Sequence, residues 1–150
     1  MIETADDNRY MGLALAQARA ALACDEIPIG AVIVSASGRI LGRGHNLTEA
    51  LDDVTAHAEM QAITAAAAAL GGKYLRDATL YVTVEPCLMC AGAIAWAQIG
   101  RIVYGCGDDK RGYTTLTSRQ PFHPRATVTA GVRADECRAL MQDFFKSKRS

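Results

Sequence analysis

The sequence has no excess of basic residues and no long apolar segment, and each absence narrows the choice of function. Its 16 Lys and Arg residues are balanced by 16 Asp and Glu residues, so the formal net charge is zero. A strongly basic domain would indicate a nucleic-acid-binding protein. The balanced charge weakens that expectation but leaves room for a local basic patch. No apolar run approaches the ~20 residues that cross a bilayer, so we predict no membrane association.

The sequence also lacks the features of a secreted protein. Its first residues, 1–7, are acidic and have neither the basic nor the apolar region of a signal peptide. The cysteines number five, an odd number, and only Cys87 and Cys90 form a C-x-x-C pair. We therefore expect a cytoplasmic location, where such a pair serves metal binding or redox chemistry.

What is present is an alternation of helical and extended patterns. A length of 150 residues suits a single domain, 1–150. The predicted helices are 6–23, 56–70, 87–98 and 134–146. The predicted strands are 31–34, 79–84, 101–105 and 127–129, together with a second strand that starts with residues 39–44. The first two strands predict a hairpin, and the later strand–helix–strand run predicts a parallel crossover. The pattern as a whole predicts a three-layer α/β/α domain with a mixed sheet.

The sequence also predicts which residues cap the first two helices. Asp6 or Asp7 is expected to cap the first helix and Thr55 the second. The segment 106–125 is polar, with the charged residues 108–111 near its start, and its sequence assigns it no clear secondary structure.

The residues His57, Cys87 and Cys90 form a candidate zinc site. One imidazole and two thiolates are a sufficient protein ligand set, and three ligands leave the fourth tetrahedral position open, as in catalytic zinc sites. Cys87 and Cys90 stand at a predicted helix start, where thiolates are stabilised. His57 also stands at a helix start, so we predict that two helix N-termini point toward one metal ion.

Glu59 is the candidate acid–base group of this site. It lies two residues from His57 and is not needed as a ligand, which leaves it free to carry a proton. His57 and Glu59 do not share a side face of a helix, so they converge only if the site lies at the helix end. A structural zinc site or a redox pair remains an alternative, because C-x-x-C alone serves all three purposes.

The joined pattern H-x-E and P-C-x-x-C resembles the signature of the cytidine and nucleoside deaminase superfamily. The resemblance extends over most of the chain to the bacterial tRNA-specific adenosine deaminase family. The similar segments are 30–32, 44–46, 55–59, 79–87, 89–94, 99–105, 131–137 and 143–145. The sequence departs from this family at Val54, where proline is usual, and over 111–116, where small residues are usual.

This resemblance implies a cytidine-deaminase-like α/β/α fold with a five-stranded sheet and one zinc ion per chain. It implies hydrolytic deamination of adenosine to inosine at the tRNA wobble position, with a zinc-bound hydroxide attacking C6 of adenine and Glu59 shuttling the proton. Zinc would be held by His57, Cys87 and Cys90. The resemblance further assigns substrate contacts to six residues: Asn46, Ala58, Pro86, Asp108, Asp109 and Lys110.

The resemblance also implies partners. The anticodon stem-loop of tRNA is the expected one, and the basic end of the last helix would approach its phosphates. The family is dimeric, so a homodimer is expected. Trp96 would suit either a dimer interface or the hydrophobic core. Phe144 and Phe145 would suit either the core or stacking on RNA bases.

Two other functions compete with this prediction. A deaminase of a free base or nucleoside, such as a guanine deaminase, resembles the chain around the zinc motif and suits its neutral charge. A zinc-stabilised binding module would instead require a fourth protein ligand and would not need Glu59.

Overall fold

The structure is a computed structural model that describes residues 3–149. The helices are α1 (Ala5–Ala23), α2 (Ala58–Leu70), α3 (Leu88–Trp96), α4 (Tyr113–Leu116) and α5 (Ala134–Arg149). The strands are β1 (Gly30–Val34), β2 (Ile40–His45), β3 (Thr79–Val84), β4 (Arg101–Cys106) and β5 (Thr127–Ala130). No helix in residues 3–149 is both long enough and apolar enough to cross a membrane.

The five strands form one mixed sheet in the order β2-β1-β3-β4-β5. β1 pairs antiparallel with β2 and with β3. β4 pairs parallel with β3 and with β5. The predicted fold class, an α/β domain with an initial hairpin and later parallel strands, is confirmed. Because β3 and β4 are parallel, their carboxyl ends meet at one edge of the sheet, and the segments that follow them can contact each other.

Both faces of the sheet are covered, as the alternation along β1 illustrates. Ala31 and Ile33 belong to the core beneath α2 and α3. Val32 and Val34 belong to the core beneath α1 and α5. Successive side chains of a strand point to opposite faces, so this run of buried residues requires helices on both sides. The three layers therefore follow directly from the continuous apolar strands.

The helix caps differ from the sequence-based expectation. Thr4, and not Asp6 or Asp7, is the N-cap of α1, and Asp7 closes a reciprocal capping box with it. Thr55 does not cap α2, whose N-cap residue is His57. The Thr55 hydroxyl donates instead to Asp53 Oδ1 at 2.7 Å. Helix α2 therefore begins two residues later than predicted, and His57 immediately precedes its first residue.

A partly buried ion pair lies at the edge of the sheet at which β4 begins. Arg101 donates to both carboxylate oxygens of Asp7, at 2.6 and 2.7 Å, and the Tyr81 hydroxyl donates to Asp7 at 2.8 Å. Burial would raise the pKa of Asp7, but hydrogen bonds from Arg101, Thr4 and Tyr81 lower it to about 2. This charged network lies at the opposite edge from the carboxyl ends of β3 and β4.

Candidate metal centre and active site

Helix α2 presents His57 at its N-terminus. The residue has an extended backbone, with φ −76° and ψ 159°, and its side chain makes no capping hydrogen bond. The imidazole is therefore available to groups outside the helix. Gly44 in β2 allows this placement, because a Cβ atom there would collide with the carbonyl oxygen of Ala58. The absence of a side chain at Gly44 lets the strand approach the first turn of α2 closely.

Helix α3 presents the two cysteines in the same way. Strand β3 ends at Val84, and after the Glu85-Pro86 dipeptide Cys87 becomes the N-cap residue of α3. The backbone N–H of Cys90 lies 3.5 Å from the Cys87 sulfur. Free N–H groups and the positive end of a helix dipole stabilise thiolates at such positions. The structure thus brings two helix N-termini together, as the spacing of the motif predicted.

The three candidate ligands have distances that suit zinc. His57 Nδ1 lies 3.6 Å from Cys87 Sγ and 3.5 Å from Cys90 Sγ. Tetrahedral zinc, with bonds of about 2.3 Å to sulfur and about 2.0 Å to nitrogen, separates sulfur from nitrogen by roughly 3.6 Å. All the ligand atoms lie within 4.8 Å of one another, and within residues 3–149 the group has no fourth Cys, His, Asp or Glu. The two nitrogen–sulfur distances fit zinc, and the three-ligand set has the composition of a catalytic site.

Electrostatics favour a thiolate at this position. Hydrogen bonding from Cys90 and from His57 lowers the pKa of Cys87 to about 4, against the opposing effect of burial. The pKa of Cys90 is raised, chiefly by its hydrogen bond to Cys87 and by burial. The hydrogen bond to Cys87 raises the pKa of His57. One negative charge is thus already stabilised among the three side chains, and a divalent cation would stabilise a second.

Glu59 lies in the first turn of α2 and is almost fully buried, with 4% of its surface exposed. Burial raises its pKa to about 7, while the charge of nearby His57 acts in the opposite direction. A carboxyl group with a pKa near neutrality can both accept and donate a proton at physiological pH, which is what acid–base chemistry requires. Its position beside the three ligands agrees with the role predicted from the sequence.

Asn46 contributes an unpaired polar atom close to the same helix end. It directly follows β2, and the next residue, Leu47, donates its N–H to the Ala56 carbonyl at 2.9 Å. Asn46 is 4% exposed, and among residues 3–149 its buried Oδ1 has no hydrogen-bond partner. A buried acceptor without a donor costs about 1–3 kcal/mol, a cost that a bound ligand with an N–H or O–H group would remove.

The other residues predicted to contact substrate lie around this centre in different ways. Ala58 is fully buried at the start of α2, and the Pro86 carbonyl already accepts the Tyr113 N–H at 3.0 Å. Asp109 and Lys110 are exposed, whereas Asp108 is half-buried. Asp108 Oδ1 accepts the N–H of Lys110 at 3.0 Å, so this carboxylate also shapes its own turn.

Sequence reasoning missed the residues that fix the 106–125 segment. Tyr113 and Phe122 are buried there, with ring centroids 5.0 Å apart. Glu85 is also buried, and it accepts hydrogen bonds from Asp108 and Thr114. The two aromatic residues in a polar segment were a signal of an ordered loop. Nothing in the local sequence pointed to Glu85.

The comparisons with known proteins agree with this geometry. Residues 4–106 match the model of the cytidine and deoxycytidylate deaminase zinc-binding region. The chain is 44% identical over 149 residues to the tRNA-specific adenosine deaminase of Agrobacterium fabrum, and the match covers 97% of each protein.

Two solved structures are also similar. One comes from a study of A-to-I editing by tRNA:A34 deaminases; it has a TM-score of 0.81 and 44% identity, covering 88% of this chain and 98% of that one. The other is the guanine deaminase from Nitrosomonas europaea. It has a TM-score of 0.79 and 25% identity, and the match covers 96% of this chain and 86% of that one.

Proposed function

Because the chain belongs to the cytidine and deoxycytidylate deaminase zinc-binding family, we propose that it deaminates adenosine to inosine at the wobble position of tRNA. The observation that carries the proposal is the group of His57, Cys87 and Cys90 with buried Glu59 beside it. The match to a tRNA-specific adenosine deaminase over 97% of the chain supports this substrate. The expected cofactor, zinc, is confirmed by the family.

The proposed chemistry divides between the metal and the side chains. Zinc held by His57, Cys87 and Cys90 supplies a Lewis acid that makes water nucleophilic near neutral pH. Glu59 accepts the proton of the attacking water and donates one to the purine ring nitrogen, and then assists the departure of ammonia. Burial raises the pKa of this carboxyl group, which favours its exchange of a proton.

Asn46 is proposed to hold the target base. Its buried Oδ1 is an acceptor without a protein donor among the described residues, and a substrate N–H or O–H would satisfy it. Asp108, Asp109 and Lys110 are proposed to contact the neighbouring nucleotides. The backbone of Ala58 and the carbonyl of Pro86 are proposed to border the pocket, the latter through its second lone pair.

Replacement of Asn46 with alanine is expected to lower kcat/KM for the RNA substrate by roughly tenfold to a hundredfold, the cost of one buried hydrogen bond. Zinc content should remain at one ion per chain, because the ligands are untouched. The measurement is steady-state kinetics with metal analysis, and Asn8→Ala, which alters an exposed amide of α1, is the control. Unchanged kcat/KM in Asn46→Ala would remove this residue from the pocket.

RNA binding is proposed to involve the end of α5. The basic residues of its last turn are Lys146, Lys148 and Arg149, and all three are exposed. Lys148 forms an ion pair with Asp25 at 2.7 Å. Phe145 is 40% exposed and available for stacking, whereas Phe144 is buried and belongs to the packing of the helix. Affinity that depends on such phosphate contacts falls as salt concentration rises.

The direct experiment uses a tRNA whose wobble base is adenosine. Inosine pairs as guanosine, so sequencing of the reaction product maps every deaminated position. We expect conversion at the wobble position alone, with no conversion in a control tRNA whose only change is the exchange of the wobble adenosine with the next base. Conversion scattered along the RNA, or none, would overturn the proposed substrate.

A homodimer is proposed from an apolar face of α3. Leu88 and Trp96 are two helical turns apart on this helix and are 46% and 84% exposed. The alternative role of Trp96 in the core is therefore wrong. An exposed Trp beside exposed Leu and Met residues is typical of an interaction surface. We expect a dimer by sedimentation and a monomer for Trp96→Glu, with Tyr74→Glu, at an exposed aromatic residue elsewhere, as the control. A monomeric unchanged chain would refute the proposal.

We also propose that the chain functions as one deaminase domain in the cytoplasm. All five strands belong to one sheet, and the ligands come from two helices packed on the same face of it. The tRNA substrate of the Agrobacterium relative supports the proposed location.

A further inference from the structure

We propose that Glu85 is a positioning residue that holds the substrate loop, defined as residues 108–114, against the zinc turn, defined as residues 86–87. The proposal rests on the proposed function for the identity of the substrate. The structural part of it, an anchored loop, stands on contacts within the protein alone.

Glu85 connects the ends of the two central parallel strands. It follows the last residue of β3 and precedes Pro86 and the candidate ligand Cys87. Its backbone N–H donates to the carbonyl of Cys106, the last residue of β4, at 2.9 Å. The side chain is 6% exposed. The backbone of Glu85 is thus fixed to the sheet, and Glu85 lies two residues before the candidate ligand Cys87.

The carboxylate of Glu85 is occupied entirely by the substrate loop. Oε1 accepts the N–H of Asp108 at 3.2 Å. Oε2 accepts the N–H of Thr114 at 2.9 Å and the hydroxyl of Thr114 at 2.6 Å. Within residues 3–149 no ion pair neutralises this carboxylate. A buried charged acceptor without a cation depends on such donors, so the loop and the carboxylate stabilise each other.

The backbone of the loop is shaped to receive this side chain. A Cβ atom at Gly112 would lie 2.5 Å from Glu85 Oε1, so the carboxylate occupies the space that any other residue at position 112 would fill. Gly112 also forms an isolated antiparallel bridge with Cys87. The next residue, Tyr113, donates its N–H to the Pro86 carbonyl at 3.0 Å. The loop is therefore attached to Pro86 and Cys87 through its backbone, in addition to its hydrogen bonds with the Glu85 carboxylate.

This arrangement predicts a defined consequence for catalysis. Of the proposed nucleotide contacts, Asp108 is one of the two anchor points of the loop, and Asp109 and Lys110 lie between it and the other, Thr114. Loss of the carboxylate would loosen the loop at Asp108 and Thr114 and weaken RNA binding. The bridge of Gly112 with Cys87 and the hydrogen bond of Tyr113 to Pro86 are made by the backbone and would remain, so the ligands and Glu59 would keep their geometry. The expected defect is therefore in KM and not in kcat.

The test is Glu85→Gln, which keeps the shape of the side chain and removes the charge. We expect KM for an anticodon stem-loop RNA to rise by about tenfold to a hundredfold, as for loss of hydrogen bonds to a charged group, with kcat within about threefold of the unchanged protein. Zinc should stay at one ion per chain. The matched control is Asp7→Asn, which neutralises a buried carboxylate at the opposite edge of the sheet and should lower stability without raising KM.

Hydrogen exchange reads out the anchor without any substrate. In Glu85→Gln the amides of Asp108 and Thr114 should exchange at least about tenfold faster, while those of β3 stay protected. A failure of the proposed function would leave this result intact, because it involves no RNA. Unchanged exchange at both amides, or a loss of zinc with a fall in kcat, would overturn the positioning role.

Thr114→Val keeps the proposal falsifiable if Glu85→Gln does not fold. Thr114 is exposed, so its substitution should leave the fold intact while removing the 2.6 Å hydrogen bond. We expect a smaller rise in KM and faster exchange at residue 114. Thr127→Val, at an exposed threonine of β5 outside the loop, is the control. An equal effect of the two substitutions would refute a specific contact between Glu85 and Thr114.

Discussion

Glu59→Gln is expected to lower kcat by at least about 10²–10⁴-fold while zinc stays bound, since this is the usual contribution of a positioned general acid–base group. The substitution keeps the size of the side chain and removes its ability to exchange a proton. His57, Cys87 and Cys90 form the metal group without Glu59, so metal content should remain at one ion per chain. The measurement is single-turnover kinetics beside metal analysis.

Stability should not fall together with activity. Glu59 is 4% exposed, and glutamine fills nearly the same volume, so we expect the melting temperature of Glu59→Gln to stay close to that of the unchanged protein. Glu49→Gln, at an exposed loop position, is the control and should change neither quantity. Full activity in Glu59→Gln would end the proposed mechanism.

Removal of zinc is expected to abolish activity and to lower stability together. The ligands come from the starts of α2 and α3, so the ion would join two helices that follow different strands. A ligand present at 1,000 times its dissociation constant stabilises a fold by about 4 kcal/mol. For a chain of this length that free energy corresponds to a fall of roughly 10 °C in melting temperature on chelation. Re-addition of zinc should restore both activity and stability.

Substitution of a ligand tests the same site without a chelator. Cys87→Ser should reduce zinc from one ion per chain to nearly none, with activity lost in proportion, because zinc prefers thiolate to hydroxyl ligands. Cys24→Ser is the matched control, since Cys24 is an exposed free cysteine outside the site. Retention of one zinc ion and full activity in Cys87→Ser would show that the metal is bound elsewhere.

The sequence predicted the fold well where one physical pattern dominates. Strand β3 was predicted over 79–84 and lies at Thr79–Val84, because a run that is apolar on both faces suits only a covered strand. The start of α1 was misplaced although its signal was present. Thr4 and Asp7 stand three residues apart, the spacing of a capping box, and the choice between nearby cap residues depends on which side chain reaches the free N–H groups.

The gathering of His57, Cys87 and Cys90 was predictable because chemistry constrains it. Zinc tolerates few ligand sets, and the motif places each ligand at a helix start. The burial of Asn46 was not predictable from residues alone, since asparagine is common in exposed turns. Glu85 could not be found, because its partners Asp108 and Thr114 are 23 and 29 residues away and no periodicity connects them. Exposure of Trp96 was equally hidden, since a helix apolar on every side favours burial.

The central claim, an adenosine deaminase that acts on RNA, is tested most directly by comparing kcat/KM for two substrates under one set of conditions. One is an anticodon stem-loop RNA with adenosine at the wobble position, assayed for inosine. The other is free guanine, assayed for released ammonia, because the similar guanine deaminase fold makes it the strongest competitor. We predict rapid formation of inosine in the RNA and no measurable ammonia from guanine. Ammonia from guanine with no inosine in the RNA would contradict the account.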